Sequence, residues 1–491
     1  MPHFSDIFII GGGINGTAIA ADAAGRGLSV TLCEKNDLAS GTSSTSTKLI
    51  HGGLRYLEFY EFNLVRKALR EREILLKRAP HLIAPLEFIL PHEKHLRPAW
   101  LIRLGLFLYD HLATHPHLPN SRPVQLQNTD YGKALLPIFK KGFSYYDCFT
   151  DDARLVVLNA LSARENNAAI LTHTEFISAE REQNHWKIHI KNTSGENVFY
   201  FAKALVNATG PWINHVQKNK FNIKLVKGSH IVVPKLYDGD FAYILQNSDQ
   251  RITFVIPYQG GFSLIGTTDI LFSDDLNHVT ISEEEENYLC NIINQYFKKS
   301  IRKKDIIWSY AGVRCLQEDE TVNPSKTTRD YKLLIETKNN LPLLTVIGGK
   351  ITTHRLLAEN ALLLLHPFFE SMSKEKTENT PLPGGDIENN DFNLFYKKFK
   401  KTFSWLPEKI AYRYAKNYGT RAYLFLKGKN SIVDLGVDFS NGLYEKEIDY
   451  LIQNEWAKTS DDILWRRTKL GLFFSEEEKA SLDQWLLTKD H

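Results

Sequence analysis

Asp6-Ile-Phe-Ile-Ile10 runs directly into Gly11-Gly-Gly13-Ile-Asn-Gly16, and an alanine-rich stretch follows as far as Arg26. An apolar run that stops at glycines and reopens as a helix is the beginning of a βαβ unit. It commits the chain to a sheet with parallel neighbours. Leu28–Cys33 reads as the second strand, closed by Glu34. The glycines stand where a pyrophosphate would need them. Gly11 permits the tight turn, Gly13 lets backbone approach a phosphate, and Gly16 lets the helix lie close to the strand. The N–H groups at the helix start, around Ile14, Asn15 and Gly16, then face the negative charge. Glu34 is placed to accept hydrogen bonds from a ribose diol, and Lys35 beside it is counted with the site. Glycine turns also join strands to helices without any ligand. The βαβ setting and the acid together make this one a dinucleotide site.

Two later segments repeat the strand-to-glycine form: Leu205-Val-Asn-Ala-Thr209-Gly210, and Leu341–Ile347 followed by Gly348-Gly349-Lys350. An NAD domain usually completes its site from one contiguous block, so three dispersed stops point to the longer dinucleotide, FAD. The isoalloxazine is then expected near the last stop, where Ile351 and Thr352 begin the next helix. Gly41-Thr42-Ser43-Ser44-Thr-Ser-Thr-Lys48 offers hydroxyl and ammonium donors for the same cofactor. Composition alone favours a solvated Ser/Thr loop there. Short β-branched and aromatic runs between about 170 and 330, Trp186–Ile190 among them, predict an antiparallel sheet. The organisation expected is an FAD-binding domain over 1–370, interleaved with a substrate domain drawn mainly from 75–150 and 215–330. A linker over 371–385 and a C-terminal helical domain over 386–491 complete it.

Composition limits the partners. The chain has 491 residues and a formal charge of +3, from 60 Lys+Arg against 57 Asp+Glu, which argues against a nucleic-acid footprint. Its four cysteines form no CxxC pair and its histidines show no ligand spacing, so neither a metal nor a disulfide framework is expected. No apolar run is long enough to span a bilayer. The first strand begins too early to leave space for a signal peptide. A cytoplasmic setting is expected.

Further segments carry a resemblance. Ala20-Ala-Asp-Ala-Ala-Gly-Arg-Gly-Leu-Ser-Val30, Lys48-Leu-Ile-His-Gly-Gly-Leu-Arg-Tyr-Leu57, Asp151-Asp-Ala-Arg-Leu155 and Val206-Asn-Ala-Thr-Gly-Pro-Trp212 are followed by Lys227–Pro234 and Ile265-Gly-Thr-Thr-Asp269. Gly312-Val-Arg314, Thr328-Arg-Asp-Tyr331, Gly348-Gly-Lys350 and Trp465-Arg-Arg-Thr-Lys469 continue in order. With Gly11–Gly16 they resemble the aerobic, FAD-dependent, quinone-linked glycerol-3-phosphate dehydrogenase family along essentially the whole chain. The resemblance implies an α/β fold like that of D-amino-acid oxidase, with a Rossmann-type FAD domain, a β-rich substrate domain and a helical C-terminal domain. It implies oxidation of sn-glycerol 3-phosphate to dihydroxyacetone phosphate, with electrons passed to membrane quinone. It further implies peripheral attachment to the cytoplasmic face of the inner membrane, and leaves a homodimer open. Cys315 departs from the pattern, since proline is more usual there.

A phosphorylated diol calls for a dianion clamp, and arginine's planar fork suits phosphate oxygens. Arg55, Arg314 and Arg329 each lie in a matched motif, although any one alone would read as a surface arginine. Tyr56 could add a phenolic hydrogen bond or be a half-buried aromatic. Lys350, after two glycines at a helix start, opposes the helix dipole, which favours a role toward flavin or substrate oxygens. His230 is the candidate base for the substrate hydroxyl while hydride leaves for flavin N5; a satisfied core histidine is the alternative. Pro98–Tyr109 and the leucines of 356–365 with Phe368 and Phe369 are candidate interfacial helices, and buried helices account for either. An oxygen-using oxidase and a non-catalytic flavin sensor or scaffold remain as other readings.

Overall fold

The computed structural model describes residues 3–93, 98–217, 220–247, 249, 251–317 and 330–489. Its first sheet is built around the predicted βαβ unit. His3–Ile10 lies between Asn197–Asn207 and Val30–Cys33, both parallel to it, and Leu341–Ile347 and Ala169–Leu171 extend the parallel set on either side. Lys332–Lys338 closes one edge antiparallel to Leu341–Ile347. Strand alternation sorts the core: Ile7 and Ile9 face one apolar cluster, Phe8 and Ile10 the other. On the first face lie the helices Ile14–Gly25, Asp152–Glu165 and His354–Leu365. Ala18, Ala20, Ala23 and Ala24 are buried, and their small side chains let these helices approach the sheet closely.

Trp186–Lys191 is antiparallel, as its alternation predicts, but it does not belong to the substrate sheet. It pairs with the first half of Asn197–Asn207 and, with Glu175–Arg181, extends the nucleotide sheet. The long strand reaches beyond its parallel neighbour Leu341–Ile347, and the hairpin covers the surplus.

The second sheet runs Ile270–Leu271, Ile223–Pro234, Phe262–Gly266, Ile252–Tyr258, Phe241–Gln246, Ala84–His92, Lys141–Phe149, Leu49–Ile50. Trp308–Gln317 lies along Ile223–Pro234, and every pairing is antiparallel except that of Phe241–Gln246 with Ala84–His92. One face packs under Glu283–Tyr296, a helix opened by a Ser282–Glu285 capping box. The other packs under Phe62–Arg78 and Ala99–His111.

The two candidate interfacial helices part company here. In His354–Leu365 the residues Leu357, Leu362 and Leu365 are fully buried in the nucleotide core, while Leu363 and Leu364 of the same segment face outward. Ala99–His111 buries Ile102, Leu106 and Tyr109 but leaves Trp100 69%, Leu104 47% and Phe107 48% exposed. Among the described residues no helix is long and apolar enough to cross a membrane.

Residues 386–489 form a separate aromatic-rich core, with Phe399, Tyr414, Tyr418 and Leu451 at its centre. The stretch before it is anchored, since the Leu382 N–H donates to the Arg78 carbonyl at 2.8 Å. All four cysteines are buried free thiols.

Candidate active site

The three strand-to-glycine stops converge at one end of the nucleotide sheet. Gly11 has φ +109°, and a Cβ there would lie 2.7 Å from the Ala208 carbonyl oxygen; a Cβ on Gly16 would lie 2.0 Å from that of Gly11. These two glycines are therefore demanded by close backbone approach. The Ile14 N–H, at the helix start, donates to Ser43 Oγ at 3.0 Å, which lays the Thr42–Ser44 turn across the glycine loop. Asn15 Nδ2 donates to the Gly348 carbonyl at 3.0 Å and so ties the first stop to the third. The Thr209 hydroxyl donates to Asn207 Oδ1 at 2.7 Å, and Gly210 follows in the left-handed region.

Glu34 accepts from the Gly12 N–H at 2.7 Å and the Asn36 N–H at 2.9 Å. Burial pushes its carboxyl above the usual range, and those two backbone donors oppose the shift. A carboxylate has about four acceptor sites, so a ribose diol can still be bound. Asn15 Oδ1 is a buried acceptor without a hydrogen-bond partner among the described residues. A Cβ at Gly210 would meet open space. An orphaned acceptor, two glycines held for close approach and a helix start aimed past Ser43 fit a dinucleotide diphosphate lying across these turns.

The second sheet supplies the facing wall. Thr42 Oγ1 donates to the Val313 carbonyl at 2.6 Å, joining the cofactor turn to the strand that carries Arg314. Arg314 is ion-paired with Asp269, and Gly228 opposite leaves room for its guanidinium. On the third stop Gly348 lies against Cys315, bringing Lys350 to the same wall. Lys350 Nζ sits 3.5 Å from the centroid of the Tyr56 ring. Thr352 Oγ1 accepts from the His51 N–H at 3.1 Å, with Ile351 beside it in the short helix Ile351–Thr353.

His230 is buried, stacked on Tyr310 at 4.8 Å, and its Nε2 meets Thr47 Oγ1 at 2.9 Å. Nδ1 has no partner among the described residues. Burial, helped by the charges of Lys48 and Arg314, pushes its pKa down to about 3, so the ring is a neutral imidazole.

Two expected cofactor residues have other employment. Lys48 is sealed in the interior, donating to Asp152 Oδ1 at 2.8 Å and to the Ser44 carbonyl at 3.0 Å. It shapes the loop from behind. Lys35 points to the surface and pairs with Glu175 at 3.0 Å. The Ser44 hydroxyl donates to the Gly41 carbonyl at 3.4 Å. Arg55 lies in the short helix Leu54–Phe59, its guanidinium 5.9 Å from the Phe59 ring centroid. Arg329 lies outside the described residues.

Residues missed in the sequence reading are Asp152, Asp269, His51 and Thr47. All but Thr47 stand inside the motifs that carry the family resemblance.

The comparisons with known proteins agree with this geometry. Residues 6–353 match the FAD dependent oxidoreductase family, and residues 375–486 match the C-terminal domain of alpha-glycerophosphate oxidase. The chain belongs to the FAD-dependent oxidoreductases of the glycerol-3-phosphate dehydrogenase family. It is 51% identical to the glycerol-3-phosphate dehydrogenase of Pseudomonas aeruginosa, over 98% of this chain and 94% of that one. It is 48% identical to the D-erythritol 1-phosphate dehydrogenase of Brucella abortus, over 99% and 98%. The crystal structure of a Bacillus halodurans glycerol-3-phosphate dehydrogenase complexed with FAD superposes with a TM-score of 0.74 at 26% identity, covering 99% of this chain and 94% of that one. The cofactor is FAD, and the fold is of the D-amino-acid-oxidase type.

Proposed function

We propose that the protein oxidises sn-glycerol 3-phosphate to dihydroxyacetone phosphate with bound FAD and delivers the electrons to membrane quinone. The observation that carries the reading is the gathering of Arg314 and of Lys350 with Tyr56 at the Gly348–Thr352 turn of a FAD-type nucleotide fold, with neutral His230 on the strand that pairs with Arg314's. Bound FAD supplies the two-electron redox chemistry.

The chain supplies position and charge. Arg314 holds the phosphate, exchanging part of its pairing with Asp269 for phosphate oxygens; Arg55 and Arg329 complete the clamp. Lys350, with its charge near the third glycine stop, favours electron density on the side of the flavin and the substrate alkoxide. His230 accepts the hydroxyl proton at Nδ1. In the free pocket burial, chiefly, and the charges of Lys48 and Arg314 hold its proton affinity low; a phosphate dianion beside Arg314 offsets the charge contribution, so affinity rises when substrate is bound. The oxidation then balances: two electrons leave the carbon as hydride and one proton leaves the hydroxyl.

The exposed row Trp100, Leu104 and Phe107 supports attachment to one membrane leaflet, on the cytoplasmic face of the inner membrane. The helix bearing it packs against Leu54–Phe59, which carries Arg55 and Tyr56. Lipid-dissolved quinone would thus be met beside the substrate pocket.

Anaerobic addition of sn-glycerol 3-phosphate to the holoprotein is expected to bleach the oxidised flavin absorption, with D-erythritol 1-phosphate run in parallel. Bleaching by the four-carbon substrate alone would move the assignment within the polyol phosphates. No bleaching by either would leave a non-catalytic flavoprotein. Oxygen uptake at full rate without quinone would make it an oxidase.

A further inference from the structure

The C-terminal helical domain meets the cofactor loop through charged side chains, and the central pair, Arg467 with Asp37, is sealed from water. Asp37, just after the second strand, is 1% exposed and accepts from Arg466 Nε at 2.6 Å and from Arg467 Nη1 and Nη2 at 2.8 Å each. Arg467 also donates to the Glu455 carbonyl at 2.6 Å, and the Glu455 carboxylate is ion-paired with Arg154 at the seam. Lys469 Nζ reaches Asp151 at 3.1 Å.

The next residue, Asp152, works from the opposite side. Its Oδ2 accepts from the Ser46 N–H at 3.0 Å and the Ser46 hydroxyl at 2.8 Å, while Oδ1 takes Lys48. The segment 37–48 is therefore pinned at both ends, and between the pins lies Ser43, which meets the helix start.

Backbone geometry shows that the pins are built. Consecutive residues of an ordinary α-helix diverge by about 100°. The turn Asp462–Arg467 is a π-helix, and Arg466 and Arg467 converge on one carboxylate. Lys469 has φ +61°, a region that a lysine enters only when its surroundings hold it there. A cavity of about 230 Å³ lies beside the pins, lined by Ser44, Thr45, Tyr310, Arg466 and Lys469, and at its edge Trp465 stacks on Trp308 at 4.3 Å.

We propose that the C-terminal domain is the clamp of the cofactor loop. Arg466, Arg467 and Lys469 act as positioning residues: through Asp37 and Asp151 they set segment 37–48 in the conformation that receives the FAD diphosphate. The inference rests on the FAD site described above. It carries a thermodynamic consequence, since coupling between two events is reciprocal. If docking of the domain favours FAD, FAD favours docking of the domain by the same factor.

Hydrogen exchange of the unmodified protein, with FAD and after its removal, tests this without any substitution. FAD is expected to slow amide exchange in Glu445–Glu455 and Asp462–Arg467 as well as around the glycine loop. Protection confined to the glycine loop would overturn the proposal. In the double variant Arg466→Met, Arg467→Met, the FAD dissociation constant read by flavin fluorescence should rise roughly ten- to hundredfold, with the protection of the C-terminal helices no longer answering to FAD. Arg467→Lys should recover part of the affinity. Unchanged affinity in the folded double variant would equally overturn it. Failure to oxidise a polyol phosphate would sink the catalytic reading and leave these results untouched.

Discussion

Two groups of ion pairs in this molecule face opposite fates in water. At the seam, Arg154 and Glu455 both have 0% side-chain exposure, and Arg467 with Asp37 has 0% and 1%. In the substrate pocket Arg314 keeps 26% and Asp269 9%. A sealed pair cannot change partners, because each charge would be left in a medium that does not solvate it. A pair reached by solvent can. In the proposed reaction Arg314 gives up part of Asp269 for a phosphate oxygen, whereas the sealed Arg467–Asp37 pair is expected to stay closed. The same residue types thus serve as clamp and as hinge-pin according to burial.

Acid should break both regions with the largest effect. His81 at the seam, His230 in the pocket and His354 in the nucleotide core all have pKa values pushed down to about 3, in each case chiefly by burial. The folded values are depressed, so the unfolded chain binds the extra protons. Their contribution is fully present above the ordinary histidine value of 6.5 and is lost as pH falls from there toward 3. The slope builds toward about 1.4 kcal/mol per histidine per unit as pH falls below 6.5, so about 5 kcal/mol should vanish between pH 6.5 and 5. Urea midpoints measured across that window check it, and a flat profile would mean that these rings are protonated in the native state.

Next in size is Arg154→Met, which leaves the buried Glu455 carboxylate only the longer pairing with Arg467 at 3.8 Å. A loss of about 3–5 kcal/mol is expected in chemical unfolding. Arg314→Ala should sharpen the contrast from the other side. Stability is expected to change by about 1 kcal/mol or less, because the pair is open to solvent. The KM for the polyol phosphate should rise by roughly thirty- to a hundredfold with FAD retained, as steady-state kinetics and flavin content would reveal. The smallest effect belongs to the exposed helix: Leu104→Glu should weaken partition into anionic vesicles about tenfold in flotation.

What the sequence discloses follows the range of the physics involved. The glycine loop with Glu34 is legible because a turn, a strand end and a helix start are local. The engagement of the Lys48 ammonium is not legible because its partner, Asp152, lies 104 residues away, and composition offers only a hydroxyl-rich loop. Asp37 is invisible for the same reason, its arginines standing 429 and 430 residues downstream. Two leucine-rich helices look alike in the sequence, since leucines on every side do not say which side is covered. Trp186–Lys191 shows its antiparallel alternation but not the sheet that receives it, which depends on the length of Asn197–Asn207.

The strand order has a consequence for the chain while it is being made. His3–Ile10 is the central strand, and its partner on one side is Asn197–Asn207. At ribosomal speeds of about 5–20 residues per second, roughly ten to forty seconds pass before that edge can be covered. During this interval an apolar strand with open hydrogen-bonding groups is offered to whatever else is nearby. The newborn N-terminal segment is therefore the part of this protein most in need of a chaperone, and slower synthesis should lower its soluble yield.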